Sequence, residues 1–258
     1  MQHPLNASPE LKAALDAAEQ AAHIARSLYQ RNIEVRIKAD QSPVTEADVR
    51  CEIAIRELLE SRFPAHGFYG EETGSRDQHA ESLWLVDPID GTKAFVRGYP
   101  MFSTQIALMR RGEIILGVSS APVYGEVAYG ERGRGAYLNG NAITVSGVST
   151  VESAALSSGN MKSLATGRQW TRYGQLIARV SRIRGYGDFL HYHLLAAGKI
   201  DAVIETDVNI LDIAACAAIV TEAGGRFTEL GGAPVTLHSN SVLATNGALH
   251  AAVLRALG

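Results

Sequence analysis

The chain has 258 residues, of which 46% are hydrophobic, and a formal net charge of -3, so it can bury a full core and has no basic excess for non-specific nucleic-acid binding. No apolar stretch reaches the roughly 18 to 20 residues of a membrane span, and the first residues lack a basic segment that leads into an apolar one, so we expect a cytoplasmic protein with no nucleic-acid or membrane partner. Cys51 and Cys216 lie in helix-like apolar runs, which predicts buried side chains and excludes both a disulfide framework and a zinc pattern.

Two helices are predicted in the first part of the chain. The first begins at Ser8 and Pro9, which are typical of an N-cap and a first-turn proline, and its apolar face consists of Leu11, Leu15, Ala18 and Ala22. The second follows Thr45, which with Asp48 resembles a capping box, and its apolar positions are Ile53, Ile55, Leu58, Leu59 and Phe63. Asp48 can therefore simply cap its own helix. A catalytic role is compatible with this if only one carboxylate oxygen is used for capping.

Residues 67–74 predict a short strand that ends in an acidic turn. The strand covers residues 67–70, and Glu71 and Glu72 follow it before Gly74, which favours a turn. Such an acid pair is ambiguous when it stands alone.

The segment LWLVDPIDGT, residues 83–92, carries the most informative pattern of the chain. A buried strand is predicted to deliver Asp87 at its carboxyl end, while Pro88 and Gly91 favour a turn that lets the carboxylates of Asp87 and Asp90 converge. Converging carboxylates repel one another unless a cation lies between them, and hard cations such as Mg²⁺ prefer oxygen ligands. The alternative is an ordinary turn in which an Asp caps the next helix, since the run from Asp90 is typical of an N-cap followed by a helical turn.

The remainder of the chain predicts two stacked sheets between helix layers. Strands at 106–109 and 114–118 are joined as a hairpin, and the glycine-rich run 130–135 favours a hairpin connection over a phosphate-binding loop because no helix follows it. After residue 146, short strands alternate with helices predicted at 188–197, 212–223 and 248–257. We place a boundary near residues 144–151, which divides the chain into 1–146 and 147–258.

Two features of these later helices concern the site. The i, i+2 spacing of His191 and His193 points them to different faces, so packing and surface roles are favoured over a metal site. Asp212 precedes an apolar helical pattern, and its carboxylate therefore belongs to a first turn. Together with Glu71, Asp87 and Asp90 it supplies the ligand chemistry of a phosphoryl-transfer site with two or three metal ions.

These elements together resemble the inositol monophosphatase family of Mg²⁺-dependent, lithium-sensitive phosphatases. The resemblance rests on four ordered motifs at compatible spacing, at residues 43–48, 71–72, 84–92 and 211–225. It runs through nearly the whole chain and implies a layered α/β fold, a five-layer αβαβα sandwich with the site between its two halves. It also implies a homodimer.

The resemblance implies a metal-binding role for each acid of these motifs. Glu71, Asp87 and the backbone carbonyl of Ile89 would bind one Mg²⁺. Asp87, Asp90 and Asp212 would bind a second, and Glu71 would also touch a weaker third ion. The metal ions would activate the attacking water and neutralise the leaving oxygen in an in-line displacement, so no protein nucleophile is needed.

The family pattern also implies roles for residues that bind no metal. Asp48 and Thr92 would position the attacking water. Glu72 would support the residues that bind the metal ions without binding an ion itself. Gly91 and Thr92 would offer backbone N–H groups to the phosphate, as a helix N-terminus can. Lys38 would occupy the basic position on the family's mobile active-site loop.

The substrate hypothesis rests on Arg184, Asp188 and Glu205. In the family, the region after such an Arg-x-x-Gly run and the acid seven residues before the last metal ligand line the leaving-group pocket. Two acids there favour a cationic alcohol, and the run around Gly187 and Asp188 resembles the histidinol-phosphate phosphatase branch. The sequence therefore predicts hydrolysis of L-histidinol phosphate to L-histidinol and phosphate. Alternatively, Asp188 only caps the helix that begins there.

Other functions remain open at this point. An inositol-1-monophosphatase or a broader sugar or polyol phosphatase would use the same metals. A 3'-phosphonucleotide or fructose-bisphosphate phosphatase should show a larger pocket or additional basic residues for a second phosphate, which we do not find in the sequence. A non-catalytic metal-binding or interaction protein should have lost its ligand set or the water-positioning pair Asp48 and Thr92, and both are present.

Overall fold

A computed structural model of the chain describes residues 7–31, 34–37 and 43–258, so Lys38 lies outside the described residues. The described helices are α1 (Pro9–Leu28), α2 (Glu46–Arg62), α3 (Thr92–Arg97), α4 (Lys162–Thr166), α5 (Trp170–Ile177), α6 (Asp188–Ala196), α7 (Ile210–Glu222) and α8 (His250–Leu257). The described strands are β1 (Val35–Ile37), β2 (Pro43–Thr45), β3 (Gly67–Gly70), β4 (Ser75–Arg76), β5 (Ser82–Asp90), β6 (Ser103–Arg110), β7 (Glu113–Ala121), β8 (Glu126–Glu131), β9 (Ala136–Leu138), β10 (Asn141–Ile143), β11 (Ala155–Gly159), β12 (Arg182–Arg184), β13 (Ala202–Thr206), β14 (Arg226–Thr228) and β15 (Ser241–Thr245).

The described strands form a short ribbon and two larger sheets. The ribbon is the antiparallel pair β1 and β2. The large sheet has the order β10-β9-β8-β7-β6-β5-β3-β4, and its β3–β5 pair is parallel. The small sheet has the order β12-β11-β13-β15-β14, in which β11 is parallel to both of its neighbours.

Helices and sheets alternate in layers. α1 and α2 cover one face of the large sheet, α6 and α7 lie between the sheets, and α4, α5 and α8 cover the outer face of the small sheet. This arrangement confirms the αβαβα sandwich. A division into two domains at residue 146 stays a prediction, because α6 and α7 share one apolar cluster with strands of both sheets.

Local sequence explains where the first two helices begin. The Ser8 hydroxyl accepts the N–H of Leu11 at 3.0 Å, and Thr45 and Asp48 form the capping box of α2. Ile53 is one of the apolar positions of α2, and its side chain is nevertheless 43% exposed. Cys51 and Ile55 are buried, and on a helix a residue midway between positions i and i+4 points to the opposite side.

Tight turns complete the large sheet. The β6–β7 hairpin turns through Arg111 and Gly112 with φ of 52° and 79°, as the mirror-image hairpin turns require. The glycine-rich run connects β8 to β9, which confirms the hairpin interpretation. Both cysteines are buried as expected. None of the helices in the described ranges is long and apolar enough to cross a membrane.

Candidate metal and substrate site

A bulge in β5 brings the two acids of the DPID motif together. Asp87 pairs with Gln105 of β6 and Asp90 pairs with Ser103 of β6. Between these two pairs β5 therefore has one more residue than β6, which is a β-bulge. Gly91 follows with φ of 92°, and a Cβ there would lie 2.6 Å from the carbonyl oxygen of Met101. The N-cap of α3 is therefore Gly91, and the expectation of an Asp90 cap is wrong because Asp90 still belongs to β5.

Asp212 joins these two acids from α7, in the helix layer between the two sheets. One carboxylate oxygen each from Asp87, Asp90 and Asp212 lies within 4.8 Å of the others. Asp212 is held in the first turn of α7 by Asn209, whose backbone N–H and side-chain amide each donate to it at 2.8 Å. Sequence reasoning missed Asn209, although an Asn three residues before an Asp indicates a capping box.

The electrostatics of this cluster favour a cation. Burial raises the pKa of Asp87 well above its usual value, and neighbouring acids, led by Glu71, raise it further. Burial also raises the pKa of Asp90, with Asp188 as the next contribution. The pKa of Asp212 rises to about 7 through burial, although the backbone N–H of Asn209 opposes the change. An all-oxygen donor set whose members repel one another suits a hard divalent cation.

Asp48 divides its two oxygens between two tasks. Oδ2 accepts the backbone N–H of Thr45 at 2.8 Å and its hydroxyl at 2.5 Å, whereas Oδ1 accepts the hydroxyl of Thr92 at 3.0 Å. The Thr92 oxygen also lies 3.1 Å from the carbonyl oxygen of Ile89, and its single hydrogen can serve only one of these acceptors at a time. Capping therefore leaves one oxygen of Asp48 turned towards Thr92.

The turn that carries Glu71 and Glu72 is held by Glu52, a residue that sequence reasoning missed. This side chain is fully buried in α2, and its carboxylate accepts the backbone N–H groups of Glu72 at 2.8 Å and Thr73 at 2.5 Å. It also accepts the Thr73 hydroxyl at 2.6 Å. An acid four residues after Asp48 on the same helix face was the available sequence pattern.

A cavity continues from the cluster towards the small sheet. Its lining includes the carboxylates of Asp90, Asp188, Glu205 and Asp212, together with Asn160 and Tyr192. Burial, together with the neighbouring Glu205, raises the pKa of Asp188 to about 6. The N-cap of α6 is Gly187 and not Asp188. Arg184 is exposed, donates to the carbonyl of Ile183 at 2.7 Å and does not line this cavity.

The two histidines of α6 are both buried, so a surface role for either is wrong. Nδ1 of His193 lies 2.9 Å from Glu126 and Nε2 lies 2.8 Å from the Ser119 hydroxyl, and burial lowers the pKa of this imidazole. His191 lies beside Glu205, with Nε2 at 3.1 Å from Oε2. In the described part of the chain, neither belongs to a cluster that could hold a metal ion.

Comparisons with known proteins agree with this geometry. The model of the Inositol monophosphatase family matches residues 6–258. Histidinol-phosphatase from Mycobacterium tuberculosis is 39% identical over 254 residues, which cover 96% of this chain and 97% of that protein. Inositol-1-monophosphatase from Mesorhizobium japonicum is 34% identical and covers 88% of this chain and 87% of its own length. The crystal structure of extragenic suppressor protein suhB from Bartonella henselae superposes with a TM-score of 0.89 at 30% identity and covers 97% of this chain and 98% of that one.

Proposed function

The chain belongs to the inositol monophosphatase family, and from this premise we propose that it is a metal-dependent phosphomonoesterase whose substrate is L-histidinol phosphate. One observation carries the proposal: the cavity beside the Asp90 and Asp212 carboxylates is lined by two further acids, Asp188 and Glu205. The histidinol-phosphatase named among the similar proteins supports the same substrate.

The donor set supports Mg²⁺, with two or three ions at the site. Glu71, Asp87 and the Ile89 carbonyl would hold one ion, and Asp87, Asp90 and Asp212 would hold another. These groups are all oxygen donors, which Mg²⁺ prefers over nitrogen and sulfur. When bound, Mg²⁺ supplies Lewis-acid activation of water and neutralises charge on the phosphate and leaving oxygens.

The protein's own groups would then orient the reactants. The Thr92 hydroxyl donates to Oδ1 of Asp48, which leaves the Thr92 oxygen free to accept a hydrogen bond from the attacking water. The first N–H groups of a helix have no partner within it, so those of Gly91 and Thr92 can donate to the phosphate oxygens. Glu72 would support the metal ligands without binding an ion itself, and its own position is held by Glu52, which accepts its backbone N–H.

The remaining acids would select the alcohol. L-Histidinol carries a protonated amine, and two acids in a largely buried cavity can pair with it, whereas a neutral polyol offers no countercharge. Arg184 stays a weaker candidate for this pocket, because its described contact is to its own strand. The homodimer and the cytoplasmic location likewise stay predictions.

The test is phosphate release from L-histidinol phosphate and inositol 1-phosphate, with Mg²⁺ or with a chelator. We expect Mg²⁺-dependent release that strongly favours L-histidinol phosphate. Asp90→Asn should lower turnover by about 100-fold or more, since a metal centre contributes several kcal/mol. Asp77→Asn, in an exposed turn, is the matched control and should behave as the wild type. Turnover of inositol phosphate alone would refute the substrate, and unchanged activity of Asp90→Asn would refute the metal assignment.

A further inference from the structure

Glu205 receives two hydrogen bonds at the same oxygen. The hydroxyl of Tyr192 donates to Oε2 at 2.6 Å, and Nε2 of His191 lies 3.1 Å from the same atom. All three side chains are buried. Within the described ranges no hydrogen bond reaches Oε1, so the two oxygens of this carboxylate have different surroundings.

Ser157 contacts the other nitrogen of the His191 ring. The Ser157 oxygen accepts the backbone N–H of Tyr186 at 3.2 Å, and it lies 3.4 Å from Nδ1 of His191. An ionised carboxylate can only accept, so the short Nε2–Oε2 distance places a proton on Nε2, facing Glu205. Ser157 can either donate to Nδ1 or accept from it.

Gly159 provides space on the other side of the carboxylate. It is the register partner of Glu205 across the β11–β13 pair. A Cβ at position 159 would lie 2.4 Å from Oε1, which is closer than any side chain permits. The absence of a side chain there leaves Oε1 in its observed position.

We propose that His191 and Tyr192 are positioning residues for substrate selection, which occupy Oε2 of Glu205 so that Oε1 meets a cationic leaving group. The inference rests on the proposed function, since it presumes that Glu205 lies in the alcohol pocket.

The chemistry of Tyr192 is what suits it to this role. An Arg or Lys in its place would orient the carboxylate but would also neutralise it. The Tyr192 phenol orients the carboxylate through a hydrogen bond and brings no positive charge of its own. Asp188, which faces the same cavity, adds to the negative charge of Glu205.

The experiment compares two substrates in matched tyrosine variants. Tyr192→Phe removes only the hydroxyl that donates to Glu205. Tyr173→Phe is the control, because it removes another buried hydroxyl, one that lies 2.9 Å from Ser158. Kinetics are measured with L-histidinol phosphate and with p-nitrophenyl phosphate, whose leaving group carries no cation.

We expect Tyr192→Phe to raise KM for L-histidinol phosphate by about tenfold, which is the loss of one hydrogen bond to a charged group, and to leave p-nitrophenyl phosphate kinetics within about twofold. Tyr173→Phe should change neither substrate. Gly159→Ala, which crowds Oε1 and keeps both donors, should reproduce the selective loss and serves as the second variant if Tyr192→Phe folds poorly.

The outcomes separate the inference from the function on which it rests. Equal losses on both substrates, or no loss on either, would overturn the positioning role while the wild type still hydrolyses L-histidinol phosphate. A wild type that cleaves p-nitrophenyl phosphate but not L-histidinol phosphate would overturn the proposed substrate and the inference together.

Discussion

Replacing Glu52 by Gln tests whether a buried acid of α2 prepares the metal site. The change keeps the shape of the side chain but turns one carboxylate oxygen into an NH₂ group. The less costly orientation places that group at Oε2, where it faces the backbone N–H of Glu72 at the present 2.8 Å. The backbone N–H of Glu72 then loses its acceptor and faces the new NH₂ group, which is also a donor. The hydrogen bonds to Thr73 become weaker, because their acceptor no longer carries a charge.

The magnitude follows from those bonds. A hydrogen bond to a charged group contributes about 1.5–3 kcal/mol. If that loss appears in the free energy of unfolding, Tm falls by roughly 3 to 12 °C, since a protein of this size loses about 2–4 °C per kcal/mol. If metal binding must re-form the Glu71–Glu72 turn, the Mg²⁺ concentration for half-maximal activity rises by about 10-fold to 100-fold.

The assay titrates Mg²⁺ against phosphate release and records thermal melting with a chelator present. Glu57→Gln is the matched control, because it removes the same charge from an exposed position of the same helix. A lower Tm with an unchanged Mg²⁺ requirement would show that Glu52 supports the fold alone. Identical behaviour of the two variants would refute the reasoning altogether.

Two further predictions concern the water-positioning pair and the acid cluster. Thr92→Val should lower kcat by about 100-fold to 10,000-fold at a nearly unchanged Tm, because it removes the hydroxyl that reaches Asp48. Thr92→Ser keeps that hydroxyl and should retain most activity. Measurements of kcat on both variants test this prediction. The pKa values of Asp188 and Asp212, about 6 and about 7, lie above the value of 3.8 in the unfolded chain. Their protonated forms therefore stabilise the metal-free protein, and this contribution is lost as the pH rises from 3.8 to about 7. The rise in Tm that Mg²⁺ produces should therefore grow across the same window, and a rise that is constant with pH in thermal melting would contradict the clustering of these acids.

Much of the fold could be predicted from the sequence because its determinants are local. Ser8 begins α1, and Gly91 follows the last residue of the buried strand β5, since caps and turn residues act over three or four positions. The layer order needed the family resemblance. Ile53 shows the limit of apolar periodicity, because a helix with many apolar positions does not reveal which of them face the sheet.

The supporting residues of the site were harder to predict because their partners are distant in sequence. Glu52 accepts hydrogen bonds from a turn that lies 20 residues further along the chain. His191 in α6 contacts Glu205 in β13. Spacing along one helix places His191 and His193 on different faces, but it does not reveal that both faces are buried. Only the packing of α6 between the sheets settles that question.

For Asp48 and Asp212, capping and function are complementary tasks. Each occupies the third position of a helix and accepts the backbone N–H of its own cap residue, Thr45 or Asn209. These local bonds fix both carboxylates in the first turn, where the helix dipole favours negative charge. Folding of α2 and α7 therefore orders the two acids before any cation binds. Because these acids are already ordered, the site loses little conformational entropy when metal binds. The main change in free energy on binding is then the relief of the repulsion among the acids.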